Sequence, residues 1–249
     1  MNIVSLDRVI NKNKFKYFYI HSIDSTMEEA KKYIDLGHSN IIILANEQKK
    51  GYGRRGNYWV SEPGNVFCTI SFKNILSRKD IFKFSVLTSV SIKQSLEYLN
   101  INNIFFKWPN DIYCNNKKIS GIIQETYINK NSKDIISIGL GINFLSSPKL
   151  QSYKTTYVLQ YNSKISRDKF FEIFINFFFK SYNDYVYRNN DKFFEIYKKN
   201  QMFVNTNIKI INEKKQIIEG RFLGINEDGS LNLKTQNNQI KIFSGNIVI

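Results

Sequence analysis

From Phe15 to Ile23 the chain alternates enough aromatic and β-branched residues to predict a strand. The period then changes. Met27, Ala30 and Ile34 stand three and four apart, which predicts a helix opened by Ser25, with Glu28 completing a capping box, and stopped by Gly37. Ile41-Ile42-Ile43-Leu44-Ala45 is a short buried strand, and Val66 to Phe72 is another. Between Ile81 and Leu99 the pattern is helical and apolar on more than one side, so this helix is expected to be buried. Ile104 to Lys107 predicts a strand that ends at Pro109. Asp111 to Tyr113 and Lys118 to Thr126 form a hairpin turning at Asn115-Asn116, and Ile135 to Gly141 adds a strand. Phe171, Phe174, Phe178, Tyr182 and Tyr185 keep helical spacing and form a core face, and a further helix runs from Asp191 to Asn200. From about Met202 the pattern is purely β: Asn205 to Ile211, Ile217 to Ile225, Ser230 to Thr235 and Gln239 to Phe243, with turns at Asp228-Gly229 and Asn237-Asn238. The expected architecture is α+β, a mixed sheet covered by helices over residues 1–201 and a small β domain over 202–249.

Composition narrows the function classes. A chain of 249 residues with 42% hydrophobic and 15% aromatic content folds around a sizeable core. Its 36 Lys and Arg against 21 Asp and Glu leave a formal charge of +15, which attracts polyanions. The lysines are dispersed rather than gathered in one dense run, so no specific DNA partner is expected, and a basic nucleic-acid-binding module is the minority reading. Two cysteines (Cys68, Cys114) and two histidines (His21, His38) are too few for a disulfide framework, a zinc site or a Cys/His nucleophile. Met1 to Lys16 is too polar for a signal peptide, and Glu172 and Asn176 interrupt the apolar run from Phe170 to Phe179, so no membrane segment is expected. A reducing, cytoplasmic setting follows.

The chemistry gathers around Gly51-Tyr52-Gly53-Arg54-Arg55-Gly56, which is entered through Gln48-Lys49-Lys50 and left through Trp59. Three glycines in six residues let a backbone approach a ligand, and the flanking cations attract phosphate. By itself the segment reads first as a solvated basic turn between two strands; it is neither a P-loop nor a dinucleotide fingerprint. It is accompanied, in order, by Asp24-Ser25-Thr26 before it, and by Lys107-Trp108-Pro109-Asn110-Asp111, Lys117-Lys118-Ile119-Ser120-Gly121-Ile122 and Gly139-Leu140-Gly141-Ile142-Asn143 after it. Together these motifs resemble biotin protein ligases (biotin–[acetyl-CoA-carboxylase] ligase, holocarboxylase synthetase), from about Tyr17 to the C-terminus. The form resembled is the short one without an N-terminal DNA-binding domain.

The resemblance implies a fold like that of class II aminoacyl-tRNA synthetases, closed by a C-terminal SH3-like β-barrel. It implies a ligase that makes biotinyl-5′-AMP from biotin and ATP with Mg²⁺. The biotinyl group then passes to a lysine of a biotin carboxyl carrier domain. Lys118, Arg54 and Asp111 would be catalytic: the cations meet the carboxylate and α-phosphate, and Asp111 holds Lys118 or takes the amine proton. Ser25, Thr26, Gln48, Gly51, Tyr52, Gly53, Trp59, Gly121 and Asn143 would bind biotin or nucleotide, with Asn143 near the phosphates and any Mg²⁺. Local readings stay open beside these: Ser25 needs only to be an N-cap, Trp59 only core, Lys118 only a solvated hairpin lysine. The sequence departs from the family pattern where Met27, Tyr52 and Asn57 replace its usual Asn, Arg and Arg. A lipoate or octanoate ligase is the nearest rival, and Ser25, Thr26 and Gln48 are polar where that pocket is wholly apolar. A homodimer is left open.

Overall fold

The computed structural model describes residues 4–38, 40–76, 80–130 and 134–248; the outer limits of the two expected domains, Met1 and Ile249, lie outside the described residues. Helix α1 (Leu6–Lys12) precedes strand β1 (Lys16–Ile23), helix α2 (Thr26–Asp35) and strand β2 (Asn40–Gln48). Strand β3 (Val66–Lys73) leads into helix α3 (Phe82–Tyr98). The strands β4 (Ile104–Lys107), β5 (Asp111–Cys114), β6 (Lys117–Ile128) and β7 (Asp134–Ile142) follow. Helices α4 (Arg167–Arg188) and α5 (Lys192–Lys199) then lead to β8 (Asn207–Ile211), β9 (Ile217–Ile225), β10 (Leu231–Lys234), β11 (Gln239–Ile242) and β12 (Asn246–Val248).

The first seven strands form one sheet in the order β1-β2-β3-β7-β6-β5-β4. β1 and β2 run parallel, with α2 as their crossover, and the remaining neighbours are antiparallel, so the sheet is mixed. The two-residue period sorts side chains to its faces. Ile42, Leu44, Cys68, Ile70, Ile138 and Leu140 point to the main core, where α3 and α4 pack. Ile41, Ile43 and Ile135 point the other way and meet Ala30 and Ile34 of α2. That second face is the one that matters for function: α2 covers it over β2, β3 and β7, and over β6 and β5 the face lines a cleft. All five aromatic residues of the expected α4 face are buried, and Tyr182 packs edge-on against Phe72 at 5.2 Å between ring centroids. Among the described residues no helix is long and apolar enough to cross a membrane.

Two local expectations are corrected. Ser25 is the N-cap of α2, but its side chain makes no cap bond, so the Ser25–Glu28 capping box is not formed. Gln48 supplies the cap from β2 instead, accepting the Thr26 N–H at 2.8 Å. The seven-residue helix α1 lies in a stretch that gave no helical expectation; Val9 and Ile10 bury against the core, and Asn176 of α4 bonds both Val4 N (2.9 Å) and Val4 O (2.7 Å). Tertiary contact, not local propensity, holds it.

The last five strands form an antiparallel sheet in the order β11-β10-β9-β8-β12. Ile208, Phe222, Leu231 and Leu233 from this sheet are continuous with the main core. It is fastened beside the cleft, because Trp108 Nε1 donates to Gly229 O at 3.1 Å and Met202 N to Phe106 O at 2.8 Å.

The chain beyond β7 hangs on one buried side chain. Asn65 Oδ1 accepts the N–H groups of Phe144, Leu145 and Ser146 at 2.8, 2.9 and 3.1 Å. Asn65→Ala strips these donors of their acceptor and is expected to cost about 2–3 kcal/mol in urea unfolding, whereas Asn65→Asp, which keeps an acceptor there, loses less.

Candidate active site

β2 ends at Gln48, and the glycine loop then closes on itself as a small hairpin. Trp59 N donates to Gly51 O at 2.9 Å, Gly53 N to Asn57 O at 2.7 Å, and Tyr52 bridges Tyr58 as in an antiparallel ladder. The tip, Arg54–Gly56, is a single 3₁₀ turn in which Arg55 takes a left-handed φ of 58°. Gly51 is demanded by close approach: a Cβ there would lie 2.8 Å from Gln48 Nε2 and 2.9 Å from Trp59 O.

One end of the cleft is polar and neutral. Gln48 Oε1 accepts from Thr26 N (2.8 Å) and Thr26 Oγ1 (2.9 Å); Thr69 Oγ1 donates to Thr26 Oγ1 (2.9 Å). Gln48 Nε2 donates to Ser61 Oγ (3.1 Å), which donates to Trp59 O (3.0 Å). This chain of bonds fixes the orientation of the Gln48 amide and links the α2 N-terminus to the loop. Ser25, spared from capping, lines the cleft beside it.

The other end is cationic, and a β-bulge builds it. Asp111 pairs with Gly121 and Ile112 with Ser120, but Tyr113 pairs with Lys118, so Ile119 is the extra residue. Lys118 and Gly121, three apart, would otherwise face opposite sides of the sheet. The bulge turns both to the cleft and sends Ile119 and Ile122 into the core. Lys118 Nζ lies 2.8 Å from Asp111 Oδ1 and between two aromatic rings, 5.2 Å from the centre of Trp59 and 5.1 Å from that of Tyr153. Arg54 lines the same cleft; burial and the adjacent Arg55 pull its guanidinium below the ordinary value, and Asp111 and Glu213 oppose this. Burial likewise lowers the Lys107 ammonium, against the pull of Asp111.

Trp59 touches both sets: its O accepts from Ser61 Oγ of the polar one, and its ring lies against Lys118 of the cationic one. Its ring lies on the backbone of the paired residues Gly121 and Gly141: a Cβ on Gly141 would come within 2.5 Å of the indole, one on Gly121 within 3.0 Å. Its Nε1 is buried and has no hydrogen-bond partner among the described residues, a donor that an acceptor in the cleft would satisfy.

The cleft has a volume of about 870 Å³, and Ser25, Thr26, Gln48, Tyr52, Gly53, Arg54, Trp59, Asp111, Lys118 and Gly121 all line it. Gly51 lies behind the lining. Asn143 also stands outside, in a small cavity behind Lys118, with Nδ2 donating to Thr156 O at 3.1 Å. Sequence reasoning missed Lys107, Tyr113, Tyr153 and the β12 residues Asn246, Ile247 and Val248, which also line the cleft. Lys107 stood in a quoted motif and Tyr113 on an expected strand, so both were within reach; Tyr153 and β12 carry no local signal.

A neutral polar set, a cationic set and a flat aromatic ring in contact with both line one cleft on a mixed sheet, a site shaped for a ligand with a polar neutral part and an anionic part. Residues 19–143 match the biotin/lipoate A/B protein ligase family and residues 204–249 the biotin protein ligase C-terminal domain; the chain belongs to the biotin/lipoate A/B protein ligase family. The bifunctional ligase/repressor BirA of Bacillus subtilis is 26% identical over 212 residues, 83% of this chain and 65% of that protein, so the match spans less than two thirds of that relative's length. The biotin–[acetyl-CoA-carboxylase] ligase of Paracoccus denitrificans is 28% identical over 127 residues, 50% of this chain and 53% of that one. The fold is shared with the Aquifex aeolicus biotin protein ligase solved with biotin and ATP: the TM-score is 0.79 at 22% identity, covering 94% of this chain and 97% of the other.

Gly141→Ala tests the seat of the indole. The added methyl cannot coexist with the indole, so Trp59 must lift. Its fluorescence should shift to the red and become more quenchable by acrylamide, with the signal of the other tryptophan, Trp108, removed by Trp108→Phe in both proteins. Unchanged emission would show that the indole does not rest on Gly141.

Proposed function

We propose that the chain is an ATP-dependent biotin protein ligase. The observation that carries this reading is one cleft that holds both a neutral hydrogen-bonding set and a cationic set, with Trp59 in contact with each. The ureido ring of biotin matches the Ser25, Thr26 and Gln48 end; its carboxylate and the α-phosphate match Lys118, with Arg54 over them. In the first step a carboxylate oxygen attacks the α-phosphorus, and the bond to the β-phosphate breaks with its electron pair leaving on pyrophosphate. Fixed cations in a site shielded from water offset the gathering negative charge. In the second step a carrier lysine amine attacks the acyl carbon and AMP leaves. Asp111 orients Lys118 and is the candidate base for the amine proton.

The names of the relatives and the bound biotin and ATP of the Aquifex protein support the same substrates, and the carboxylase in the name of the Paracoccus relative supports an acceptor of that kind, on this reading its biotin carboxyl carrier domain. The polar Thr26–Gln48 network argues against a lipoyl or octanoyl chain, which offers nothing for it to bond. The residues present do not make a Mg²⁺ cage: among the described residues no group of three or more His, Cys, Asp or Glu could hold a metal, and Asp111 is committed to Lys118.

Incubation with biotin, MgATP and a carrier domain should add one biotinyl mass to the carrier. Transfer of lipoate or octanoate in its place would make the chain a lipoate-type ligase. Lys118→Ala removes one charge-assisted contact to phosphate and should lower biotin-dependent pyrophosphate exchange about a hundredfold with the fold retained. Exchange at the wild-type rate would remove Lys118 from the mechanism.

A further inference from the structure

We propose that Tyr52 is a latch that holds the glycine loop over the cleft and sets how readily the cleft opens. Its hydroxyl lies 3.3 Å from Glu28 Oε1 and 3.2 Å from Glu125 Oε1. Glu28 belongs to the first turn of α2, the helix whose start carries Thr26. Glu125 lies on β6, on the cleft side with Gly121. The phenol therefore ties the loop to the same two elements that carry the polar pocket and the cationic pocket. A carboxylate only accepts, and a phenol has a single proton, so the two glutamates are alternative acceptors. The bond can pass from one to the other without freeing the loop. Burial and the two carboxylates raise the phenol above its ordinary pKa, which keeps that proton in place.

The loop is also tied through Ser61 to Gln48 and by the seat of the indole on Gly121 and Gly141, whereas its ion pairs are peripheral. Lys50–Asp24 (2.7 Å) is exposed on both sides, and Arg55 reaches Glu213 only at 3.5 Å. Because Tyr52 bridges Tyr58 and Gly51 is bonded to Trp59, the hairpin moves as one piece, and lifting Tyr52 lifts the indole from Gly121 and Gly141. The Trp59 indole N–H has no partner among the described residues, so its hydrogen exchange reads cleft opening directly.

The test uses the ligand-free protein, with the Trp59 indole resonance followed by NMR. Tyr52→Phe should speed indole exchange about tenfold, the worth of one hydrogen bond to a charged acceptor. Glu28→Ala or Glu125→Ala alone should change it by no more than about twofold, because one acceptor remains, whereas the double variant should match Tyr52→Phe. Wild-type exchange in Tyr52→Phe, or one glutamate accounting for the whole effect, would overturn the latch. A further consequence rests on the ligase reading: enzyme-bound adenylate should leave Tyr52→Phe faster by the same factor in a single-turnover assay. If the wild type forms no adenylate while the exchange rates behave as described, the ligase reading falls and the latch stands; if adenylate forms and leaves both proteins at one rate, the latch does not control release and the proposal fails.

Discussion

The ion pair between Lys118 and Asp111 is the interaction on which the site depends. It sits where water is scarce, with the two side chains 11% and 22% exposed, and removing two charges from water is unfavourable unless geometry compensates. Such a pair is weak evidence for stability, and it makes better sense as a device for placement. Asp111 fixes the ammonium, the rings of Trp59 and Tyr153 flank it, and the bulge at Ile119 delivers it to the correct face. A regular hairpin would bury Lys118 in the core or turn Gly121 away from the cleft.

The same region gives up packing to gain access. Gly121, Gly139 and Gly141 present bare backbone where β6 and β7 would otherwise carry side chains, and Met27 and Trp59 settle into the space. Met27 therefore contributes apolar contact at Gly139, where a polar residue would meet backbone and Ile123. Compensation comes from the opposite face, where Ile122, Ile138, Leu140 and Ile142 complete a continuous core with the aromatic residues of α4. One sheet thus serves as a packed wall on one side and a ligand floor on the other.

Much of this was legible in the chain because it is local. The Asn115-Asn116 turn was marked by two residues that tolerate positive φ, and both adopt it, at 48° and 60°. The α4 face followed from its period, and the glycine loop, Lys118 and Asp111 from their motifs. What escaped notice depends on partners distant in sequence. Ser25 and Glu28 had the right spacing for a capping box, but the Ser25 side chain makes no cap bond, and Gln48, 22 positions from Thr26, accepts the Thr26 N–H, a first-turn donor that such a box leaves free. α1 is stabilised through Asn176, and Tyr153 reaches Lys118 from a loop with no periodicity. Asn143, expected near phosphate, turns its amide to the backbone carbonyl of Thr156. Local pattern cannot record such bonds, because each is decided by the packing of whole elements.

The function rests on one cleft joining a place for a neutral polar ring to a place for an anion, with Trp59 against both. A crystal structure with a non-hydrolysable analogue of biotinyl-5′-AMP tests it most directly. The account places the ureido group within hydrogen-bond distance of Thr26 or Gln48, and the phosphate within reach of Lys118 Nζ. An analogue bound with its phosphate at the Thr26 end, or bound away from this cleft, would contradict it.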